Sequence, residues 1–269
     1  MPELFGSDAF SPKEIAERIE NVGVTKARLP FLPMAMLGVV AGGFIGLGAL
    51  FYVLVVSDPS LGFAVSRVLG GLVFSLGLIL VVVAGAELFT GNNLLAMAWC
   101  DGKISTIEVL RNWLIVCCAN FVGAAGLAVL VYLSGHAEMN NGLVGAKVVQ
   151  IATIKCAMPF WAAFFKGILC NLLVCMAVWM SFAGRSVIDK VVAIVFPISA
   201  FVAAGFEHSV ANMYLIPLGM LLQPHGAMTI TWSGFFHNMI PVILGNLIGG
   251  SVLVGAVYHI IYRRNLPAG

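Results

Sequence analysis

The chain has 269 residues, of which 61% are hydrophobic and only 10% are charged, and its formal net charge is +2. About a quarter of the residues of an ordinary soluble domain are charged, so this composition excludes a water-facing surface of normal size and indicates a membrane protein. The small net charge gives no reason to expect a nucleic-acid partner. The six cysteines lack paired metal-ligand spacing and are expected to be buried, inert thiols.

A short polar helix is predicted at the N-terminus, where a cleavable signal peptide is not evident. Ser11 and Glu14 can form a capping box, Pro12 suits the first turn, and Gly23 is placed to end the helix. One face is apolar and the other is charged, which favours a surface helix docked on the cytoplasmic face. The alternative is a movable gate or a segment that binds a partner.

Six apolar segments exceed the roughly 20 residues that a bilayer core requires. They are predicted to run approximately over residues 31–56, 65–99, 113–134, 157–182, 191–222 and 235–262. The second and fifth are longer than a straight crossing needs, so each is expected to be broken. Turn-like segments connect the spans at residues 57–59, 135–145 and 223–226.

The distribution of basic residues predicts the orientation in the membrane. With the N-terminus inside, ten lysines and arginines fall on the inner side, whereas only Arg67, Lys147 and Lys155 fall outside. This bias predicts that both termini are cytoplasmic. The expected organisation is a cytoplasmic segment (1–28), a single six-helix membrane domain (29–264) and a cytoplasmic tail (265–269).

Two matched motifs indicate that the membrane domain is an internal duplication, with halves of about 29–135 and 156–264. Ala-Gly-x-Glu occurs in the second span at Glu87 and again 120 residues later at Glu207, each time with an asparagine five positions further on. The third and sixth spans share Asn-x-x-Gly, at Asn120 and Asn246. Since each half has three spans, the second half enters from the opposite side, which predicts an inverted repeat.

Each broken span places a glutamate in the middle of the membrane, beside Gly85 or Gly205. An ionisable residue there indicates a functional site, and a broken backbone is tolerated only where it is buried in protein or lines a cavity. An ionised carboxylate facing a pore would repel an anion. We therefore expect Glu87 and Glu207 to accept hydrogen bonds from the unwound backbone and hold the breaks in shape.

His208 follows the second glutamate directly. Histidine can carry or donate a proton near neutral pH, and a neutral weak acid is far cheaper to desolvate than its anion. The alternative is a buried neutral histidine bonded to the backbone. No two of the five histidines are spaced as i and i+4, so no metal site or other cofactor is expected.

Four long segments resemble the formate/nitrite transporter family, and the resemblance extends over essentially the whole chain. They are GLVFSLGLILVVVAGAELFTGN (71–92), GILCNLLVCMAVWMSFAGR (167–185), FVAAGFEHSVANM (201–213) and IPVILGNLIGG (240–250). The resemblance implies an all-α fold with six membrane helices, an aquaporin-like inverted repeat and a homopentamer whose subunits each contain a pore. It implies transport rather than catalysis, in the inner membrane of a prokaryote, of small monovalent anions, and this chain is most similar to the formate channels.

The family motifs also assign site residues. The outer constriction corresponds to Phe74 and Phe201, and the inner one to Leu78, Phe89 and Val174. The substrate pathway corresponds to Thr90, Asn171, His208, Glu207, Asn212 and Lys155. In the mechanism that this assignment predicts, Lys155 and half-helix dipoles concentrate the anion, which meets Thr90 and His208, is transiently protonated, and crosses as the weak acid.

Other substrates remain open alternatives. Lys166 and the short loop at 223–233 depart from the formate channels, and Lys166 is more similar to the nitrite branch, so nitrite or hydrosulfide is the alternative within the family. A neutral-solute channel would share the inverted repeat but should show Asn-Pro-Ala at each break, which this sequence lacks. An enzyme would need a catalytic cluster, and none assembles at recognisable spacing.

Overall fold

The computed structural model describes residues 9–224, 226 and 229–263, which are almost entirely helical. The helices are α1 (Pro12–Ala27), α2 (Phe31–Val56), α3 (Phe63–Gly85), α4 (Ala96–Cys100), α5 (Thr106–Leu133), α6 (Leu143–Cys156), α7 (Phe160–Ser181), α8 (Val187–Ala204), α9 (Ser209–Leu222) and α10 (Trp232–Tyr262). A 3-10 segment, Gly91–Leu95, leads into α4. The predicted tail at 265–269 and His225 lie outside the described residues.

Six helices are long and apolar enough to cross a membrane, as predicted: α2, α3, α5, α7, α8 and α10. Large apolar side chains such as Phe63 and Phe196 are 82% and 72% exposed on their outer surfaces. Water would not tolerate so much exposed apolar surface, whereas lipid or a neighbouring subunit would. The chain is therefore a multi-pass membrane protein.

The capping box predicted for α1 is present, but the predicted end of this helix is wrong. Ser11 and Glu14 cap each other's backbone as expected, yet the helix continues past Gly23 to Ala27. A Cβ added at Gly23 would lie 3.4 Å from the Cβ of Ala98. Gly23 therefore faces α4 from within α1 and does not end the helix.

The helix boundaries differ from the prediction before and after the third membrane segment. Ser105 and Glu108 form a capping box that starts α5 at Thr106, seven residues earlier than expected. The segment predicted as a turn at 135–145 ends at Gly142, and the unpredicted helix α6 follows it. This helix is too short to span a bilayer, and it packs against α9.

Glycines allow close contact between α2 and α5 and between α7 and α10. A Cβ added at Gly123 would lie 1.8 Å from the carbonyl oxygen of Val39, and one added at Gly249 would lie 2.2 Å from the carbonyl oxygen of Ile168. Only glycine fits either position, because the obstructing atoms belong to the backbone. These are the glycines of the repeated Asn-x-x-Gly motif, so the two halves pack their helices alike.

Candidate functional site

Both long membrane segments are interrupted at the glycine that precedes the buried glutamate. The φ angle is +84° at Gly85 and +73° at Gly205, a left-handed conformation that residues with a Cβ rarely adopt. After Gly85 the chain is extended at Ala86, and after Gly205 the next helix begins at Ser209. The breaks therefore fall at the predicted glycines.

The side chain of Glu87 is buried and bonded to two other side chains. Its Oε1 lies 2.8 Å from Nζ of Lys26, at the end of α1, and its Oε2 accepts a hydrogen bond of 2.6 Å from Nδ2 of Asn92. Asn112 binds both partners, because its Oδ1 accepts from Asn92 and its Nδ2 donates to the carbonyl oxygen of Lys26.

The second half repeats this arrangement at Glu207. Nζ of Lys155, at the end of α6, donates to both carboxylate oxygens at 2.8 and 2.9 Å, and Nδ2 of Asn212 donates to Oε2 at 2.7 Å. Asn238 bonds to Asn212 and to the carbonyl oxygen of Lys155. The prediction that the glutamates accept from unwound backbone is thus wrong, since lysine and asparagine side chains are their partners.

The backbone of the first break is held by an asparagine instead. Nδ2 of Asn120 donates to the carbonyl oxygens of Glu87 and Gly38, at 2.9 and 2.7 Å. Its Oδ1 accepts a hydrogen bond of 2.9 Å from the backbone N–H of Phe89. One buried side chain therefore satisfies three backbone groups, two of them on the broken segment, which is what makes an irregular segment tolerable in a membrane.

Asn246 does the same for the second break. It donates to the carbonyl oxygens of Glu207 and Gly167 at 3.0 and 2.8 Å and accepts from the backbone N–H of Ser209 at 3.0 Å. The repeated Asn-x-x-Gly motif identified both asparagines in the sequence but did not predict that they bind the backbone of the breaks. The roles of Lys26, Asn112 and Asn238 had no sequence signal that we recognised.

His208 caps the N-terminus of α9 and lies where the two breaks meet. Its Nδ1 accepts a hydrogen bond of 3.2 Å from the backbone N–H of Ala211, and its Nε2 lies 3.1 Å from Oγ1 of Thr90 on the first break. Because Nδ1 acts as an acceptor, the ring proton of the neutral imidazole is on Nε2 and is donated to Thr90. The ring is 3% exposed and stacks on Phe201.

Protonation of this histidine has a structural cost that follows from its cap. A proton can be added only at Nδ1, and it would replace the hydrogen bond that Nδ1 accepts from Ala211. The described arrangement is therefore that of a neutral histidine bonded to the backbone. A proton relay through His208 requires release of the N-terminus of α9.

Two cavities approach this pair of breaks. One has a volume of about 400 Å³ and is lined by α1, α3 and the first break, including Lys26, Leu78 and Glu87. The other, of about 220 Å³, is lined by residues of α3, α6, α8 and the second break, including Lys155 and His208. We call them the inner and outer cavities, following the predicted orientation.

The predicted constriction residues divide between these cavities and the core. Phe74 and Phe201 line the outer cavity with their ring centroids 5.6 Å apart, and Leu78 lines the inner cavity. Phe89 and Val174 are buried but line neither cavity. The two cavities share no lining residue and are therefore separate.

Asn171 forms hydrogen bonds with residues of both halves near the two breaks. Its Nδ2 lies within hydrogen-bonding distance of the carbonyl oxygen of Thr90 at 3.2 Å, Oδ1 of Asn93 at 2.7 Å and the carbonyl oxygen of Asn246 at 2.7 Å. Across residues 9–224, 226 and 229–263, no group of three His, Cys, Asp or Glu side chains is placed to hold a metal ion.

Comparison with known proteins gives one consistent result. The family model "Formate/nitrite transporter" matches residues 13–260. The formate channel FocA of Escherichia coli (strain K12) is 40% identical, with 96% of each chain covered, and FocA of Haemophilus influenzae is 39% identical, with 98% of each covered. The formate channel BtFdhC of Bacillus thuringiensis is 38% identical over 94% of this chain and 96% of its own.

Solved structures agree. A pentameric formate channel with formate bound has a TM-score of 0.79 and 37% identity, covering 85% of this chain and 96% of its own. An FNT family ion channel has a TM-score of 0.84 and 32% identity, covering 92% and 98%. The described helices, the paired breaks and these similarities lead to one conclusion: the chain belongs to the formate/nitrite transporter family.

Proposed function

We propose that this protein passes small monovalent anions of weak acids, above all formate, through the inner membrane of a prokaryote. The observation that carries the proposal is the buried His208–Thr90 contact, with His208 in the wall of the outer cavity beside an apolar layer formed by Phe74 and Phe201. Relatives over nearly the full length are formate channels. The pentameric neighbour further supports a homopentamer in which every subunit has its own pathway.

The proposed mechanism follows from the cost of moving a charge through the apolar layer. An anion that loses its water between Phe74 and Phe201 gains no compensating charge there, whereas the protonated acid is neutral and small. His208, whose Nε2–H points to Thr90, lines the outer cavity beside this layer and so meets the anion before it crosses. A proton from water in the outer cavity adds to Nδ1 of His208 and displaces the Ala211 cap, and the Nε2 proton passes to formate. Formic acid then crosses and releases this proton to water in the opposite cavity.

The orientation completes the proposal. The excess of lysine and arginine on one side supports the proposal that both termini are cytoplasmic. The inner cavity, bounded by α1, then opens to the cytoplasm, and the outer cavity opens to the opposite side.

Formate flux into proteoliposomes, measured as a function of pH, tests the function. Liposomes with the purified protein should take up formate faster than protein-free liposomes, and uptake should rise as the pH falls. His208→Phe should abolish the uptake or remove its pH dependence, because a phenyl ring carries no proton. His237→Phe, at an exposed position on α10, should behave as wild type. An unchanged pH profile in His208→Phe would contradict the proton relay but not the formate pathway.

Nitrite or hydrosulfide is a second candidate substrate, favoured by one observation. Lys166, the residue that departs from the formate channels, lines the outer cavity. Flux of nitrite and hydrosulfide in the same liposomes, compared with that of formate, lactate and acetate at equal concentration, separates these substrates. A formate flux no larger than the acetate flux would overturn the assignment of formate.

A further inference from the structure

Lys166 occupies a position at which the first half of the protein has a leucine. The backbone N–H of Glu207 donates to the carbonyl oxygen of Lys166, and the N–H of Glu87 donates to that of Leu37, both at 3.3 Å. The next residue in each half is a glycine whose carbonyl oxygen accepts from Asn246 or Asn120. Since Leu37 meets the same structural demands, the fold does not require a cation at position 166.

Arg67 contributes a second cation to the same cavity. Its Nε donates to the carbonyl oxygen of Ala203 at 2.9 Å, and a Cβ added at Gly205 would lie 2.5 Å from its Nη2. The guanidinium group is therefore anchored against the second break. Its remaining N–H groups are available to a ligand in the outer cavity, whose wall includes both Arg67 and Lys166.

The charges of the two cavities are not balanced in the same way. Among the residues that the structure describes, Lys26 and Glu87 are the charged residues that line the inner cavity, and they pair at 2.8 Å. The outer cavity contains the equivalent pair, Lys155 with Glu207, and in addition Arg67 and Lys166. Among the described residues, neither of these two cations has a carboxylate oxygen within 4.0 Å.

The Lys155–Glu207 pair alone gives little attraction for a distant anion. At separations larger than the 2.8 Å between the paired atoms, the two opposite charges largely cancel. The net positive charge of the outer cavity therefore comes from Arg67 and Lys166. Apolar walls, among them Ile154 and Met158, keep the local dielectric low and make these charges more effective.

We propose that Arg67 and Lys166 form an anion-binding site in the outer cavity, which holds a small carboxylate or oxyanion before it reaches His208. This inference rests on the proposed function and adds that the two faces of the protein bind the anion differently. The guanidinium group offers a planar pair of N–H donors suited to two oxygens of one ligand, and the ammonium group adds a second charge. Within residues 9–224, 226 and 229–263, the inner cavity has Leu37 in place of the lysine and no equivalent pair of unpaired cations.

Sided flux measurements test the site. Right-side-out and inside-out membrane vesicles, prepared from a host without its own formate channels, present one face each to external formate. Lys166→Leu installs the residue that the first half uses, and Arg67→Gln keeps the side chain polar without the charge. Each should raise the half-saturating formate concentration at the outer face by roughly three- to ten-fold, with no change at the inner face. Lys147→Gln, at a partly exposed cation of the same side that is bonded to Gln150, should change neither.

A rise of equal size at both faces, or no rise at the outer face, would overturn the proposal. The mass of the detergent-solubilised complex must be the same for every variant, which excludes misassembly as the cause. High ionic strength should shrink the difference between wild type and Lys166→Leu, because salt screens an accessible site.

Direct binding separates this inference from the proposed transport. Carbon-13-labelled formate should show line broadening with purified wild type in detergent, and the broadening should be lost in the Arg67→Gln/Lys166→Leu double variant. This result supports the site even if vesicles show no formate flux. Equal broadening in wild type and double variant, or none in wild type, overturns the site even if formate is transported.

Discussion

The positive φ angle of Gly85 can be tested by substitution with alanine, which adds a single methyl group. Nothing lies within 4 Å of a Cβ added at this residue, so alanine would be strained by the backbone conformation and not by a clash. We expect Gly85→Ala to destabilise the protein by about 1–2 kcal/mol. Gly43→Ala, in the interior of α2 and equally free of neighbours, should instead be neutral or stabilising by up to about 1 kcal/mol. Thermal unfolding in detergent measures both, and equal midpoints would contradict the strain.

The hydrogen bond between His208 and Thr90 predicts different effects for two small substitutions. Thr90→Val has the same shape but leaves the buried Nε2–H of His208 without an acceptor, which costs about 1–3 kcal/mol. Thr90→Ser keeps the hydroxyl. We expect formate flux to fall roughly ten-fold in Thr90→Val and less than two-fold in Thr90→Ser, a difference in keeping with that cost. Equal fluxes in the two variants would show that the hydroxyl is dispensable.

At the scale of single residues, the sequence reveals the positions that repeat but not the partners that join them. Glu87 and Glu207 stand out because each is an acid in an apolar span and because the motif around them recurs. Lys26 does not stand out, since it lies in a polar helix 61 positions earlier and looks like any other basic residue at a membrane surface. Its pairing with Glu87 depends on how α1 packs under the first break, which no local pattern encodes.

Attachment of α1 to the membrane domain depends on the Lys26–Glu87 pair. Lys26→Met removes the charge that compensates a carboxylate buried to 96%, and such losses typically cost about 3–5 kcal/mol. Lys26→Met/Glu87→Gln removes both charges and keeps a hydrogen-bonding group for Asn92. We expect the double variant to be more stable than Lys26→Met alone.

Chemical or thermal unfolding of the two variants in detergent provides the measurement. The equivalent variants at Lys155 and Glu207 should show the same order, because their geometry is the same. If either double variant loses as much stability as the sum of its two single substitutions, the two side chains do not act as a pair.

A second contact of α1 predicts a pH dependence. Glu20 on α1 is 1% exposed and pairs with Lys103, which follows α4, and with Nε of Arg263 at 2.7 Å. Burial raises the pKa of Glu20 above its ordinary value of 4.5 despite these two cations. A raised pKa means that docking of α1 takes up a proton. Docking is therefore strongest on the acid side and weakens as the pH rises through the raised pKa of Glu20.

Asp101 and Lys103, which contact Glu20, act outside this window. The hydrogen bond with Glu20 lowers the pKa of Asp101, so the contribution of Asp101 to docking is lost only as the pH falls below its ordinary pKa of 3.8. The hydrogen bond between Glu20 and Lys103 raises the pKa of Lys103 above its ordinary value of 10.5. Hydrogen exchange of the α1 amides between pH 5 and 8, corrected for intrinsic rates, measures the docking. Protection should decline with rising pH in wild type and become flat in Glu20→Gln, whereas Glu17→Gln, at an exposed position, should match wild type.

Among whole elements, apolar length was a sufficient guide for the six membrane helices, and α2 was predicted to the residue. It failed for α6, because a helix of 14 residues with two lysines looks like neither a span nor a loop. Apolar length also did not predict how many residues each broken segment contains. The glycines mark where α3 and α8 end, but how far the extended segments run is decided by Asn120 and Asn246 on other helices.

Over the whole molecule, the repeated Ala-Gly-x-Glu and Asn-x-x-Gly motifs were enough to predict a duplication. The hydrogen bonds show that the residues bonded to these motifs also correspond between the two halves. Lysine, glutamate, three asparagines and the glycines at the close helix crossings have counterparts in both halves. His208 and Lys166 differ, because the corresponding residues of the first half are Leu88 and Leu37. Symmetric positions are therefore those that hold the breaks together, and the asymmetric ones are the best candidates for selecting and handling the substrate.

The orientation of the molecule is the remaining whole-chain prediction, and it decides which cavity faces the cytoplasm. Basic residues at both ends and in the segments after α4 and α7 predict that these regions are cytoplasmic. A C-terminal fluorescent-protein fusion should be fluorescent and a C-terminal alkaline phosphatase fusion inactive, because the phosphatase needs the oxidising side to form its disulfides. A phosphatase fused after Gly142, before α6, should be active. The reverse pattern would invert the assignment, place the Arg67–Lys166 site on the cytoplasmic side and make α1 an external segment.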